Sequence, residues 1–119
     1  MLKIKKSNID KIGVITLVGK LSGLDCTGTI QEKIKEINSK EKIKNFIVDM
    51  AKVKWIDSTG LGELIATLSS VQKQGGNLVL VNLPSPVQSL LKMTNLDQIF
   101  DIFNNMDEAV ASFNSKKKK

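Results

Sequence analysis

Two adjacent hydroxyl side chains, Ser58 and Thr59, have the surroundings of a phosphate acceptor. They belong to the segment Asp57-Ser58-Thr59-Gly60-Leu61-Gly62, which lies between a short apolar run and a helical pattern. Serine and threonine favour helix N-caps, where their hydroxyls satisfy unpaired backbone N–H groups, so both residues predict a helix start here. A helix N-terminus also stabilises an added anion through its N–H groups and its dipole. The segment is therefore equally consistent with a plain helix cap at these hydroxyls and with a phosphate acceptor at Ser58 or Thr59.

The other residues of the segment each allow two interpretations. Gly60 and Gly62 leave the backbone bare, which permits another protein to dock closely or simply permits a tight strand-to-helix turn. Asp57 either shapes the loop for a kinase or caps the helix. The spacing of Leu61 favours the core over a contact with a partner.

Catalytic alternatives lack the residues that they need. The chain contains no histidine and one cysteine, Cys26, so the commonest general base and any zinc ligand set are missing. A dinucleotide fingerprint would need a third glycine where Ile65 stands. An aspartic protease would need a second loop to match the one at Asp57. We therefore predict that the chain is not an enzyme and binds neither metal nor cofactor, and that Cys26 is a small apolar core residue.

Branched and apolar runs predict the strands that position this segment. The runs are residues 12–18, 46–48, 78–81 and 99–103, with a further edge strand beginning near Ile4. The continuous runs at 46–48 and 78–81 are typical of strands buried on both faces of a parallel sheet. Trp55, between Lys54 and Ile56, is predicted to pack in the core, with a surface anchor for a partner protein as the alternative.

Apolar residues at helical spacing predict four helices between and after these strands. Their buried faces are Ile30, Ile34 and Ile37; Leu61, Leu64, Ile65, Leu68 and Val71; Val87, Leu90 and Leu91; and Met106, Ala109, Val110 and Phe113. Thr29 and Glu32 have the spacing of a capping box at the start of the first helix. Alternating strands and helices predict an α/β fold, and the first two strands, which lack an intervening helix, predict a mixed sheet.

Length and charge restrict the organisation and the partners. The 119 residues fit one domain, predicted at residues 1–113, with a basic and flexible tail at 114–119. The net charge is +6, but there is no arginine and there are only five aromatic residues, which argues against direct nucleic-acid binding. No apolar stretch is long enough to span a membrane. We expect a cytoplasmic protein with no membrane attachment.

The segment at 57–62, preceded by Phe46-Ile47-Val48-Asp49-Met50, resembles the signature of the STAS domain. The similarity continues through residues 75–81, 87–96 and 99–100, and it is greatest to stand-alone anti-sigma-factor antagonists. The resemblance implies a single domain with a four- to five-stranded sheet and helices packed mainly on one face. It further implies a partner switch: the unphosphorylated chain binds an anti-sigma factor that is also a serine kinase and so frees a sigma factor.

The same resemblance assigns the site residues. The kinase would phosphorylate Ser58, a separate serine phosphatase would remove the phosphate, and the free protein would be a monomer. The predicted partner-binding residues are Asp25, Asp57, Ser58, Thr59, Gly60, Leu61 and Gly62. In the family, the second strand is usually followed by Gly-x-hydrophobic-Asp, whereas this chain has Gly19-Lys20-Leu21-Ser22. Either Asp25 supplies the acid missing at Ser22, or this contact is lost.

One alternative keeps the fold and changes the partner. A STAS-type module of this size could instead be a scaffold in a signalling complex or a sensor that binds a small ligand in a loop pocket. The site residues alone do not decide between these functions and the phosphorylation switch.

Overall fold

The structure is a computed structural model that describes residues 2–117, apart from the side chains of Asp25 and of residues 115–117. These residues form five strands, four α-helices and two short 3-10 helices. The elements, in chain order, are β1 (Leu2–Ile9), β2 (Ile12–Leu21), a 3-10 helix (Leu24–Cys26), α1 (Thr29–Glu41), β3 (Asn45–Ile56), α2 (Ser58–Lys73), β4 (Leu78–Val81), α3 (Ser85–Met93), a 3-10 helix (Leu96–Gln98), β5 (Asp101–Phe103) and α4 (Met106–Lys117).

The strands form one mixed sheet in the order β1-β2-β3-β4-β5. The hairpin of β1 and β2 is antiparallel, and all the later pairs are parallel. Parallel neighbours need a crossover, and α1, α2 and α3 provide it between successive strands from β2 to β5. This confirms the predicted α/β class and the mixed five-stranded sheet.

The central strands are buried on both faces, as their continuous apolar runs predict. Phe46 and Val48 face the larger core, under α1, α2 and α3, while Ile47 faces a smaller core under α4. The alternation arises because successive side chains of a strand point to opposite faces. Three helices therefore lie on one face and one on the other, in agreement with helices packed mainly on one face.

Three apolar residues lie elsewhere than predicted. Ile65 is 38% exposed, because the buried face of α2 follows Leu64 and Leu68 instead. Trp55 is 60% exposed, so the prediction that it packs in the core is wrong. Ile99 precedes β5 and is 53% exposed, although it was predicted to begin the last strand.

The last helix crosses the predicted end of the domain. Residue 113 lies within α4, which runs from Met106 to Lys117. The remaining lysines, Lys118 and Lys119, lie outside the described residues. The flexibility of the tail at 114–119 stays a prediction.

Candidate functional site

The segment at 57–62 lies at the junction of β3 and α2, at the carboxyl edge of the parallel strands. Asp57 has an extended backbone (φ −123°) and is the N-cap of α2; its Oδ1 accepts a hydrogen bond from Gly60 N at 2.9 Å. Ser58 is the first residue of the helix and Thr59 the second. The interpretation of Asp57 as a helix cap is therefore confirmed, and neither Ser58 nor Thr59 is the N-cap, because the carboxylate just before them satisfies the N–H group.

Asp57 also connects α2 to the loop that follows β2. Its Oδ2 accepts a hydrogen bond from Gly23 N at 3.2 Å, and its backbone N–H donates to Leu21 O at 3.4 Å. Each carboxylate oxygen thus holds a different segment of chain. Asp57 fixes where Ser58 stands relative to the loop at 22–28.

The two candidate acceptors differ in accessibility. Ser58 is exposed, whereas Thr59 is only partly exposed. At the first turn of α2, either hydroxyl lies in the positive field of the helix N-terminus. Access by a second protein therefore favours Ser58.

The two glycines of the segment have different surroundings. A Cβ on Gly60 would lie 1.9 Å from Leu21 O, so this glycine is needed for α2 to pack against β2. A Cβ on Gly62 would meet nothing within 4 Å, and Gly62 is exposed. Gly60 thus serves the tight turn from β3 to α2, where the helix packs against β2, whereas Gly62 leaves bare backbone at the surface. Leu61 is buried, as its spacing predicts.

A carboxylate missed by the sequence analysis completes the junction. Glu63 is 3% exposed, and its side chain accepts hydrogen bonds from Gly28 N at 2.7 Å, Ile30 N at 3.0 Å and Gln31 N at 3.1 Å. The side-chain amide of Gln31 donates to it as well, at 3.0 Å. Glu63 therefore caps α1 from another helix.

This cap replaces the predicted capping box of Thr29 and Glu32. The N-cap of α1 is Gly28, in the left-handed conformation (φ 82°), and no side chain of the box caps the helix. The Thr29 hydroxyl donates instead to Cys26 O at 2.6 Å. The sequence signal for Glu63 was available: it is an acidic residue beside Leu64 on the buried face of an amphipathic helix.

We expect Glu63→Gln to lower the free energy of unfolding by about 2 kcal/mol, because a neutral amide replaces a buried carboxylate that accepts four N–H groups. Amide exchange at Ile30 and Gln31 should accelerate in the same variant. Urea denaturation and hydrogen exchange measure the two effects. Glu32→Gln, an exposed change in the first turn of α1, is the matched control and should leave both nearly unchanged. Equal stability of the two variants would contradict the capping role.

Asp57 and Glu63 together hold the loop at 22–28 against the start of α2. Leu24, in the short 3-10 helix of this loop, is 87% exposed. Asp25 is its neighbour in the same 3-10 helix. The hydrogen bond from Gly23 to Asp57 joins the loop to the segment that carries Ser58, and the role of Asp25 stays a prediction.

The surface of this loop and of the segment at 57–62 carries the chemistry of a binding site. Among the described residues, no group of three or more Cys, Asp or Glu side chains is arranged to hold a metal ion. The features at the surface are an exposed hydroxyl, an exposed leucine and a glycine without a covering side chain. These features suit contact with another protein.

Comparison of the sequence with known proteins supports the fold described above. The family model of the STAS domain matches residues 3–109. A Thermotoga maritima protein named as a candidate anti-sigma factor antagonist is 36% identical over 73 residues, 61% of this chain and 64% of its own. The Bacillus subtilis anti-sigma-B factor antagonist is 46% identical over 50 residues, 42% of this chain and 46% of its own. In both cases the match spans less than two thirds of the relative's length.

Solved structures match over more of the chain. The unphosphorylated anti-sigma factor antagonist SpoIIAA superposes with a TM-score of 0.78 at 17% identity, over 95% of this chain and 97% of its own. The phosphorylated form of SpoIIAA, a Bacillus cell fate determinant, gives a TM-score of 0.67 at 16% identity, over 94% of this chain and 97% of its own. At this identity the likeness establishes a shared fold.

Proposed function

This chain belongs to the STAS domain family, and on that premise we propose that it is an anti-sigma factor antagonist controlled by phosphorylation of Ser58. In the proposed cycle, the unphosphorylated chain binds an anti-sigma factor that has serine kinase activity, and a sigma factor is released. The kinase then phosphorylates Ser58 and the complex dissociates. A separate serine phosphatase restores the binding form.

The observation that carries the proposal is the exposed Ser58 at the first position of α2, directly after the capping residue Asp57. A kinase must reach its acceptor hydroxyl, and the helix N-terminus tolerates the phosphate that results. The relatives support the same function by name, because both the Thermotoga maritima and the Bacillus subtilis proteins are named as antagonists of anti-sigma factors. SpoIIAA, which shares the fold, has been solved in both phosphorylated and unphosphorylated forms.

Within this proposal the chain has a regulatory role and no catalytic one. Its relatives are named as antagonists, which is consistent with the prediction of a non-enzyme. In the part of the chain that the structure describes, no helix has the length and apolarity to cross a membrane. The proposal places a monomeric free protein in the cytoplasm, where sigma factors act, with no direct contact to nucleic acid.

We expect Ser58→Ala to abolish phosphorylation by the partner kinase and to keep most of the binding. The hydroxyl is the acceptor, whereas the surface around it is built by Asp57, Glu63 and the loop at 22–28. Intact mass after incubation with the kinase and ATP, together with a binding titration, measures both effects. Thr59→Ala is the matched control and should still gain one phosphate. A phosphate that persists on the Ser58→Ala protein would overturn the assignment.

One observation favours the alternative of a ligand sensor. A cavity of about 250 Å³ lies beyond the carboxyl ends of β4 and β5, with Asn82, Lys92, Asp97 and Asn104 among the residues that line it. Crevices at the carboxyl ends of parallel strands are common ligand sites. Thermal melts of the chain with panels of small polar metabolites would test it. A saturable stabilisation lost in Lys92→Ala would support a sensor, and none is expected if the chain acts only through proteins.

A further inference from the structure

The edge of β3 is only half covered. Strand β4 pairs with β3 from Phe46 to Asp49 and then ends, while β3 continues to Ile56. Over this extension β3 pairs with β2 on one side, as far as the pair Leu21 and Ile56. Among the described residues no strand pairs with its other side.

Residues at the end of β4 explain why its pairing with β3 stops at Asp49. At Asn82 the chain takes a left-handed conformation (φ 58°), and the Asn82 amide donates to Asp49 Oδ1 at 3.2 Å. The same oxygen accepts from Ala51 N at 3.0 Å. Pro84 follows two residues later, where its ring nitrogen cannot donate to a strand. The chain therefore turns away from β3 at a defined point and leaves the last seven residues of β3 with one open edge.

A groove runs between this open edge and α3. Its volume is about 260 Å³, and β3 contributes Val53, Trp55 and Ile56 to its lining. Leu90 and Met93 of α3 form the opposite wall. Trp55 is 60% and Met93 81% exposed, so two large apolar side chains stand open to solvent on one groove. Because the lining is mainly apolar and follows an unpaired strand edge, the groove suits the alternate side chains of an extended peptide.

The positive charge beside the groove indicates which kind of protein segment it can bind. Among the described residues that line the groove, Lys54 alone is charged, and Lys52 is exposed on the same stretch of β3. A second copy of the chain added along the same edge would bring like charges together across the strands, which is destabilising. A segment with acidic residues would meet these lysines favourably.

We propose that the groove between the open edge of β3 and α3 binds an extended, acidic segment of a partner protein by strand addition. Main-chain hydrogen bonds to β3 supply affinity, and alternate apolar side chains of the segment pack against Trp55, Leu90 and Met93. The groove ends at Ile56, two residues before Ser58, so such a segment lies beside the proposed phosphorylation site. The inference rests on the proposed function only in that the partner is a protein.

Synthetic peptides test the proposal without any kinase or sigma factor. The probe is a set of eight-residue peptides with Val, Ile or Leu at alternate positions and Glu and Thr between them. Titration into the full chain, followed by amide NMR, should shift the amides of residues 50–56 and protect them from hydrogen exchange. Each peptide is also made in two N-methylated versions, one for each set of alternate backbone nitrogens. These versions distinguish binding by strand addition from binding by apolar contact alone. At least one of the two should bind tenfold more weakly or worse.

Charge and groove variants complete the test. Peptides with Lys in place of Glu should bind at least tenfold more weakly, and Trp55→Ala should weaken the acidic peptides at least fivefold. Ile99→Ala changes another exposed apolar residue that lies outside the groove lining; it is the control and should leave binding unchanged.

Four results would each overturn the proposal. They are no shift at residues 50–56 with millimolar peptide, no loss of affinity in either N-methylated version, equal binding of the Lys peptides, and shifts of the same amides with protein concentration alone. The last result would show that a second copy occupies the edge. None of these results bears on phosphorylation of Ser58, so the two proposals fail separately.

Discussion

Gly60→Ala is expected to destabilise the chain by on the order of 4 kcal/mol, a size that single substitutions reach only through a severe packing or strain defect. The new Cβ would lie 1.9 Å from Leu21 O and 2.9 Å from the carbonyl carbon. Both atoms belong to the backbone of β2, so neither can rotate away as a side-chain end would. The helix α2 must move off the sheet, and the underlying core then loses contacts. Thermal melts should show a fall in Tm on the order of 15 °C.

Gly62→Ala is the matched control, two residues along the same helix. Its Cβ would meet nothing within 4 Å, and alanine favours a helix over glycine by about 1 kcal/mol. We expect this variant to melt at the same temperature or slightly higher. Gly62→Trp should fold as well and bind the partner more weakly, since the bulk lies on the proposed interface. Equal melting of Gly60→Ala and Gly62→Ala would contradict the packing role of Gly60.

Most of the fold follows from periodicity because burial here is regular. Phe46, Ile47 and Val48 are buried on both faces of the sheet, and strands in that environment typically have a continuous apolar run. The helical spacing of Leu64, Leu68 and Val71 likewise records one buried face of α2. These patterns are local in sequence, so the sequence alone predicts the elements, their order and the mixed sheet.

The errors arise where the environment depends on distant residues. The cap of α1 comes from Glu63, more than thirty residues after the N–H groups that it accepts, so the local spacing of Thr29 and Glu32 could not predict it. Trp55 is exposed on the part of β3 that continues past the end of β4, which stops opposite Asp49. How far two strands pair is a property of the fold and has no signature in the residues around Trp55.

In the candidate site, too, some features follow from the sequence alone and others depend on the fold. The segment at 57–62 was recognised from residue types and from its place at the start of a predicted helix, and its position at the junction of β3 and α2 is confirmed. Which residue caps the helix depends on the backbone of Asp57, which is extended and turns its carboxylate toward Gly60 N. The assignment of Ser58 as phosphate acceptor and of the neighbouring residues as partner contacts stays a prediction.

Phosphorylation of Ser58 is expected to leave the fold unchanged and to weaken the partner complex at least tenfold to a hundredfold. A phosphate adds about −1.5 to −2 charge near neutral pH, and the N-terminus of α2 favours negative charge. Inside the domain, however, the Asp57 carboxylate already holds Gly60 N and repels a second anion. The phosphate on the exposed Ser58 therefore turns toward solvent, where the partner would dock.

The loss of affinity then arises at the interface and not within the domain. A like-charge contact between proteins can cost several kcal/mol, and each ~1.4 kcal/mol is a factor of ten in Kd. Titrations of the partner with both forms measure the loss, and amide NMR of the free chain locates the structural change. Shifts confined to residues near Ser58 are expected. Shifts that reach β4, at Leu78–Val81, would mean that the phosphate rearranges the domain, and equal affinity of both forms would remove the switch. Asp57→Asn removes one of the two negative charges at the start of α2. The phosphate can then bind back to the helix N-terminus. The phosphorylated variant should therefore lose less affinity for the partner than the phosphorylated parent chain loses.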